Sequence, residues 1–192
     1  MDMDLFEKIR LYAEQNLSCE RYEHSVRVSE TAALMCRLYG IDEQLGALAG
    51  IAHDICKEIP VDEILSLVKQ DGLPVEGIEK AKPNLLHGRA AAVKIQSEFK
   101  IKDKNVIEAV ANHTFGCPGL CDLGKILFVA DKIEPGRPQS TDEYRERHFK
   151  MTLNEITLAV IDENIEYLAR KGKTVAPVTK EWADELRNKK ES

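Results

Sequence analysis

A run of small and apolar residues in the first third of the chain, Leu45-Gly46-Ala47-Leu48-Ala49-Gly50-Ile51-Ala52, constrains the fold more than any other segment. Leu45, Leu48, Ala49 and Ala52 recur at helical spacing, with Asp42 as a natural cap upstream and Pro60 as the latest end downstream. A glycine inside a helix costs about 1 kcal/mol relative to alanine, so two of them require a packing or functional reason. Gly46, Ala47 and Gly50 leave little bulk on successive turns, which lets a second helix approach closely. The segment ends in His53-Asp54, so the approaching helix can bring a side chain of its own to that pair.

The same period governs the rest of the sequence, and alternating strand-like runs are scarce, which predicts an all-α helical bundle. Helices are expected over about 5–14 and about 20–39, the second with Tyr22, Val26, Ser29, Ala33 and Cys36 down one side and Gly40 as its stop. The third, beginning at Asp42, carries His53 and Asp54 in its last turn. Further helices are expected over about 61–70, 88–99, 103–112, 123–134 and 153–170, and from Lys180 onward. Pro74 and Pro83 punctuate the joints, and Pro135-Gly136-Arg137-Pro138 closes the segment over 123–134. At 192 residues and 43% hydrophobic, the chain is expected to form one domain over 1–192, with a motif-bearing core at about 18–140 and C-terminal helices packed on it.

Charge excludes several function classes. With 33 acidic against 27 basic residues the formal charge is −6, which opposes a broad nucleic-acid footprint and leaves only local phosphate binding. No run reaches the roughly 20 apolar residues of a membrane span, and Met1-Asp2-Met3-Asp4 leads into an amphipathic stretch rather than an apolar leader, so a cytoplasmic protein without a membrane partner is expected. The five cysteines are odd in number and form no Cys-x-x-Cys pair, as reduced thiols do; Cys117 and Cys121 are too loosely spaced for a zinc pair.

The chemistry-bearing residues are His24, His53, Asp54 and Asp131, all on apolar segments that do not otherwise call for them. Two imidazoles and two carboxylates suit a divalent transition metal, and the lack of thiolate points to iron, manganese, cobalt or zinc. Neighbouring helix residues diverge by about 100°, so His53 and Asp54 reach one ion together only at a helix terminus or by bracketing it. His87 and His113, set in Leu86-His87-Gly88 and Asn112-His113-Thr114, also fall at helix ends, whereas His148 lies in a charged stretch and is read as surface. Lys57 and Arg27 follow Asp54 and His24 by one helical turn, and Arg137 follows Asp131 on a Pro-Gly turn; all three are placed to neutralise phosphate.

The ordered set of His24, His53-Asp54 and Asp131 resembles the HD-domain metal-dependent phosphohydrolases, an all-α superfamily named for the doublet. Tyr22-Glu23-His24-Ser25-Val26-Arg27-Val28, Ala52-His53-Asp54-Ile55-Cys56-Lys57-Glu58, Leu86-His87-Gly88, Asn112-His113-Thr114 and Ala130-Asp131-Lys132-Ile133-Glu134-Pro135-Gly136-Arg137 together resemble the bacterial branch associated with symmetrical hydrolysis of diadenosine tetraphosphate to two ADP. Phe115 is larger than the residue that resemblance leads one to expect in its turn. The resemblance implies a metal, iron first, on His24, His53, Asp54 and Asp131, with Asp54 and Lys57 catalytic. It implies substrate contacts from Arg27, His24, Asp54, Lys57, His87, His113, Thr114, Asp131, Arg137, Thr174, Pro177 and Thr179, the last three in a connector that closes over the base. His87 and His113 either contact phosphate or hold a second metal bridged by Asp54. Other HD-type nucleotide phosphohydrolase or phosphodiesterase reactions, or a non-catalytic metal-dependent nucleotide-binding module, are the alternatives, because a ligand set fixes a reaction centre and not its substrate. A homodimer is expected on general frequency alone.

Overall fold

Local capping signals set most element boundaries. The computed structural model describes residues 3–75 and 77–190, so Met1 and Asp2 of the acidic N-terminus lie outside the described residues. The helices are α1 (Met3–Asn16), α2 (Cys19–Leu38), α3 (Glu43–Ala52), α4 (Val61–Val68), α5 (Gly77–Ala81), α6 (His87–Ser97), α7 (Lys104–Asn112), α8 (Asp122–Ile133), α9 (Asp142–His148), α10 (Leu153–Arg170) and α11 (Pro177–Lys190), with a 3-10 turn at Pro83–Leu86. No strand occurs among the described residues, so the fold is all-α. Ser18, Asp42, Asp103, Thr141 and Thr152 accept hydrogen bonds from the first exposed amides of α2, α3, α7, α9 and α10, and Thr152 forms a full capping box with Glu155.

The bare surface of α3 is used as the sequence requires. It packs along α2, and both helices also pack on α8. A Cβ built on Gly50 would lie 2.4 Å from Ser29 Cα and 2.7 Å from Ser29 N, so the two backbones touch at this crossing. Gly50→Ala would gain about 1 kcal/mol of helix propensity but lose about 1–3 kcal/mol or more to overpacking against backbone that cannot yield. A lower melting temperature by circular dichroism is therefore expected; a variant that melts at or above wild type would show the contact to be looser. The buried face of α2 comprises His24, Ser25, Val28, Ser29, Thr31, Ala32, Met35 and Cys36. It is rotated from the expected stripe, and Tyr22, Val26 and Ala33 sit half-buried at its edge because α3 and α8 both press on this helix.

Three differences from the sequence reading stand out. Helix α3 stops at Ala52, leaving His53 as its C-cap and Asp54 in the following turn rather than inside the last turn. Helix α11 begins at Pro177, three residues early, since proline is well suited to a first helical position. Helix α9 was not anticipated, and it buries His148 rather than exposing it. The His148 ring lies 4.0 Å from that of Tyr144, donates through Nδ1 to the Tyr144 carbonyl at 2.8 Å and faces Glu163 of α10 at 3.5 Å. All five cysteines are free.

Candidate metal centre

Three helix ends and two helix interiors converge on one point. His24 comes from the first half of α2, His53 and Asp54 from the end of α3, His87 from the first residue of α6, His113 from the C-cap of α7 and Asp131 from near the end of α8. The four imidazoles and Asp54 are buried, and Asp131 is nearly so.

The hydrogen bonds fix which ring nitrogens face inward. His53 Nδ1 lies 2.6 Å from the Gly50 carbonyl, His87 Nδ1 2.8 Å from that of Asn84, and His113 Nδ1 2.8 Å from that of Val110. His24 Nδ1 lies 3.1 Å from Glu134 Oε1. A carbonyl or carboxylate oxygen can only accept, so each Nδ1 carries the proton and each neutral ring turns an Nε2 lone pair inward. Those lone pairs meet more acceptors. His24 Nε2 is 3.1 Å from Asp131 Oδ1, His53 Nε2 3.4 Å from Asp54 Oδ2, and His87 Nε2 3.1 Å from both Asp54 Oδ1 and His113 Nε2. His24 Nε2, His53 Nε2 and Asp54 Oδ1 are buried without a hydrogen-bond partner.

Acceptors facing acceptors in a dry interior are costly unless a cation lies among them. Ligand atoms of His24, His53 and Asp131 all lie within 4.8 Å of one another, as do those of His53, Asp54 and His113. The residues therefore fit a divalent metal. Asp54 stands between the two groups, with Oδ2 toward His53 and His24 and Oδ1 toward His87 and His113.

Electrostatics agree with the geometry. Burial alone would raise the Asp54 carboxyl, but the imidazoles around it, His53 foremost, hold it well below the usual carboxylate range. Burial would likewise raise Asp131, which Lys132 and His24 hold down. Burial would lower His53, yet Asp54 and Asp131 raise it, so positive charge is favoured at that position. At His113 burial wins and pushes the imidazole down to about 4, keeping the ring neutral as a ligand must be.

A rim of cations surrounds this centre. Arg21 Nη1 reaches Asp54 Oδ2 at 2.9 Å, and Lys57 Nζ reaches His87 Nε2 at 3.1 Å. Arg137 folds back on Asp131, its Nε on the carbonyl at 2.8 Å and Nη2 on the carboxylate at 2.7 Å, rather than extending as a free fork. Lys132 lies 3.2 Å from Asp131 Oδ2 and 3.7 Å above the Phe128 ring. Arg27 is held by Glu134 at 2.6 Å.

The residues expected on the base side are less assembled. Thr114 lines a cavity of about 130 Å3 with Asn112, Phe115 and Val178, and its buried Oγ1 has no partner. Thr179 spends its hydroxyl on the Phe115 carbonyl at 2.8 Å, so it fastens α11 to the turn. Thr174 is exposed on the connector and Pro177 is exposed at the start of α11. Sequence reasoning gave no role to Arg21, Lys132 or Glu134, although each lies within three residues of a proposed ligand. That spacing was the signal available.

The HD domain family matches residues 21–136, more than half of the chain. The chain belongs to the HD-domain family. It is 34% identical over 164 residues to the symmetrical bis(5'-nucleosyl)-tetraphosphatase of Halalkalibacterium halodurans, covering 85% of this chain and 87% of that one. It is 31% identical over 166 residues to the protein of the same name from Bacillus subtilis, covering 86% and 88%. Its fold is similar to the crystal structure of a predicted HD superfamily hydrolase involved in NAD metabolism from Clostridium acetobutylicum, with a TM-score of 0.88, 30% identity and 96% and 97% of the two chains covered. The HD doublet of this member is His53-Asp54, placed where α3 ends.

Proposed function

We propose that the protein is a metal-dependent hydrolase that cuts diadenosine tetraphosphate symmetrically into two ADP. The observation that carries this reading is the inward turn of the Nε2 lone pairs of His24, His53 and His113 onto Asp54 and Asp131, inside a rim of five cations. The names of the two tetraphosphatase relatives supply the substrate. His24, His53, Asp54 and Asp131 would hold the ion, with iron first among metals suited to mixed nitrogen and oxygen donors. A divalent ion there supplies Lewis acidity on phosphoryl oxygen and makes water nucleophilic near neutral pH.

The chain's own residues do the rest. Arg21, Arg27, Lys57, Lys132 and Arg137 offset the polyphosphate charge from the half-open side of the centre. Asp54 orients the attacking water by accepting its hydrogen bond. Lys57, already donating toward His87, is placed to hold the transferring phosphoryl group, with His87 and His113 beside it. ADP leaves readily, so no strong general acid is required, and none lies in the cluster. Thr114, the connector at 173–176 and the first turn of α11 form the base side, where the unpartnered Thr114 hydroxyl offers a polar contact. The five free cysteines support a reducing, cytoplasmic setting.

Metal-loaded protein incubated with diadenosine tetraphosphate is expected to release ADP as its only nucleotide product. ATP together with AMP would overturn the symmetrical cut. A second reading, with two ions bridged by Asp54, draws on the proximity of His53, Asp54 and His113. Metal counting separates the two. One equivalent per chain is expected, because Lys57 already faces His87 Nε2; two equivalents that fall to one in His87→Ala would establish the paired site.

A further inference from the structure

Of the four imidazoles in the centre, three donate Nδ1–H to a backbone carbonyl three residues earlier in their own chain segment. His24 alone donates to a carboxylate, that of Glu134 from the other side of the centre. Glu134 is 1% exposed and fully engaged. Its Oε1 takes the His24 proton, while its Oε2 accepts from Arg27 Nε at 2.6 Å and from the Gly136 amide at 2.5 Å. Three N–H donors, from Arg27, Gly136 and His24, therefore converge on this one buried carboxylate. Gly136 is needed for the arrangement, since a Cβ there would lie 2.5 Å from Arg27 Nε.

We infer that Glu134 is a positioning residue that sets the tautomer of His24 and thereby the metal affinity of the whole centre. The inference rests on the metal-site reading above. A carboxylate oxygen accepting from Nδ1–H locks the lone pair on Nε2, raises the basicity of the ring and fixes its plane, all of which favour an ion at Nε2. Through Arg27 the same carboxylate ties the ligand helix α2 to the end of α8, where Asp131 sits.

Glu134→Gln keeps the shape and breaks the logic. Two N–H donors, from Arg27 and Gly136, claim the amide oxygen, which leaves the amide NH2 facing His24 Nδ1. Nδ1 must then accept, so the ring proton moves to Nε2 and points into the centre. Co2+ titration of metal-free protein, followed by visible absorption, is expected to show about 10–100-fold weaker binding in Glu134→Gln than in wild type. Nitrogen-15 spectra of labelled histidine in the metal-free proteins are expected to show His24 as the Nδ1–H form in wild type and the Nε2–H form in the variant. Asp162→Asn, in an exposed pair with Arg187 away from the centre, is the control and should match wild type in both measurements.

Co2+ binding at wild-type strength in Glu134→Gln would overturn the role of Glu134 and leave the metal site standing. Weakened binding with an unchanged His24 tautomer would also overturn it, by showing that the residue acts through the fold alone. If Glu134→Gln does not fold, the wild-type spectrum still decides: an Nε2–H His24 refutes the inference directly. No Co2+ uptake by wild type would remove the metal-site reading and this inference with it.

Discussion

Asp54→Asn protein is expected to hydrolyse diadenosine tetraphosphate at least about a thousand times more slowly than wild type, a loss of about 4 kcal/mol of transition-state stabilisation, while remaining folded. Among the described residues, no other side chain offers both its oxygens to these imidazoles. Oδ2 sits 2.9 Å from Arg21 and 3.4 Å from His53, and Oδ1 sits 3.1 Å from His87. An amide in this place must turn its NH2 toward either the Arg21 side or the His87 and His113 side. On the first side it sets a donor against a guanidinium and removes an oxygen from the proposed ligand set; on the second it caps the lone pairs of His87 and His113 with a donor. Loss of negative charge also removes the field that favours positive charge at His53. Steady-state ADP release measures the first quantity, and a thermal melt confirms that the variant is folded. Activity within about tenfold of wild type would remove Asp54 from the site.

The parts of this site that the sequence made legible are those with local signatures. Asp42, Asp103 and Thr152 are caps whose partners lie two or three residues away, so α3, α7 and α10 were readable to within a residue or two at their starts. The four proposed ligands stood out because ionisable residues on apolar helices need a reason. The parts that were not legible depend on partners far along the chain. Glu134 takes its meaning from Arg27 and His24, 107 and 110 positions away, and neither the charge of Glu134 nor its place beside a turn announces that. His148 looked like surface because Arg145, Glu146 and Arg147 precede it, yet α10 supplies Glu163 to cover it. Thr179 was read as touching substrate, and its hydroxyl bonds a carbonyl 64 residues earlier. Periodicity reports which face of a helix is apolar; it does not report which helix comes to lie on that face.

That last limit bears most on the C-terminal helix, for which the largest stability effect is expected. Trp182→Ala should cost about 3–5 kcal/mol, lowering the melting temperature by about 6–20 °C at about 2–4 °C per kcal/mol for a chain of this size. Trp182 is fully buried, meets Phe128 of α8 edge-on at 5.0 Å, and fills the space above Gly116, where a Cβ would lie 2.0 Å from its ring. Around it Thr179 bonds the Phe115 carbonyl, and Glu185 accepts from the Gly119 amide at 2.7 Å, so α11 clamps the turn that follows His113. None of the proposed metal ligands lies on α11, whereas Thr114 and Phe115 lie in the clamped turn and line the cavity shared with Val178. Metal affinity in the folded variant should therefore stay near wild type, while KM for the dinucleotide rises, because the proposed ligands come from α2, α3 and α8 and the proposed base side is fastened by α11. A melting temperature within about 2 °C of wild type would contradict the anchoring role of Trp182, and a fall in metal affinity matching the rise in KM would show that the two halves of the site are not mechanically separate.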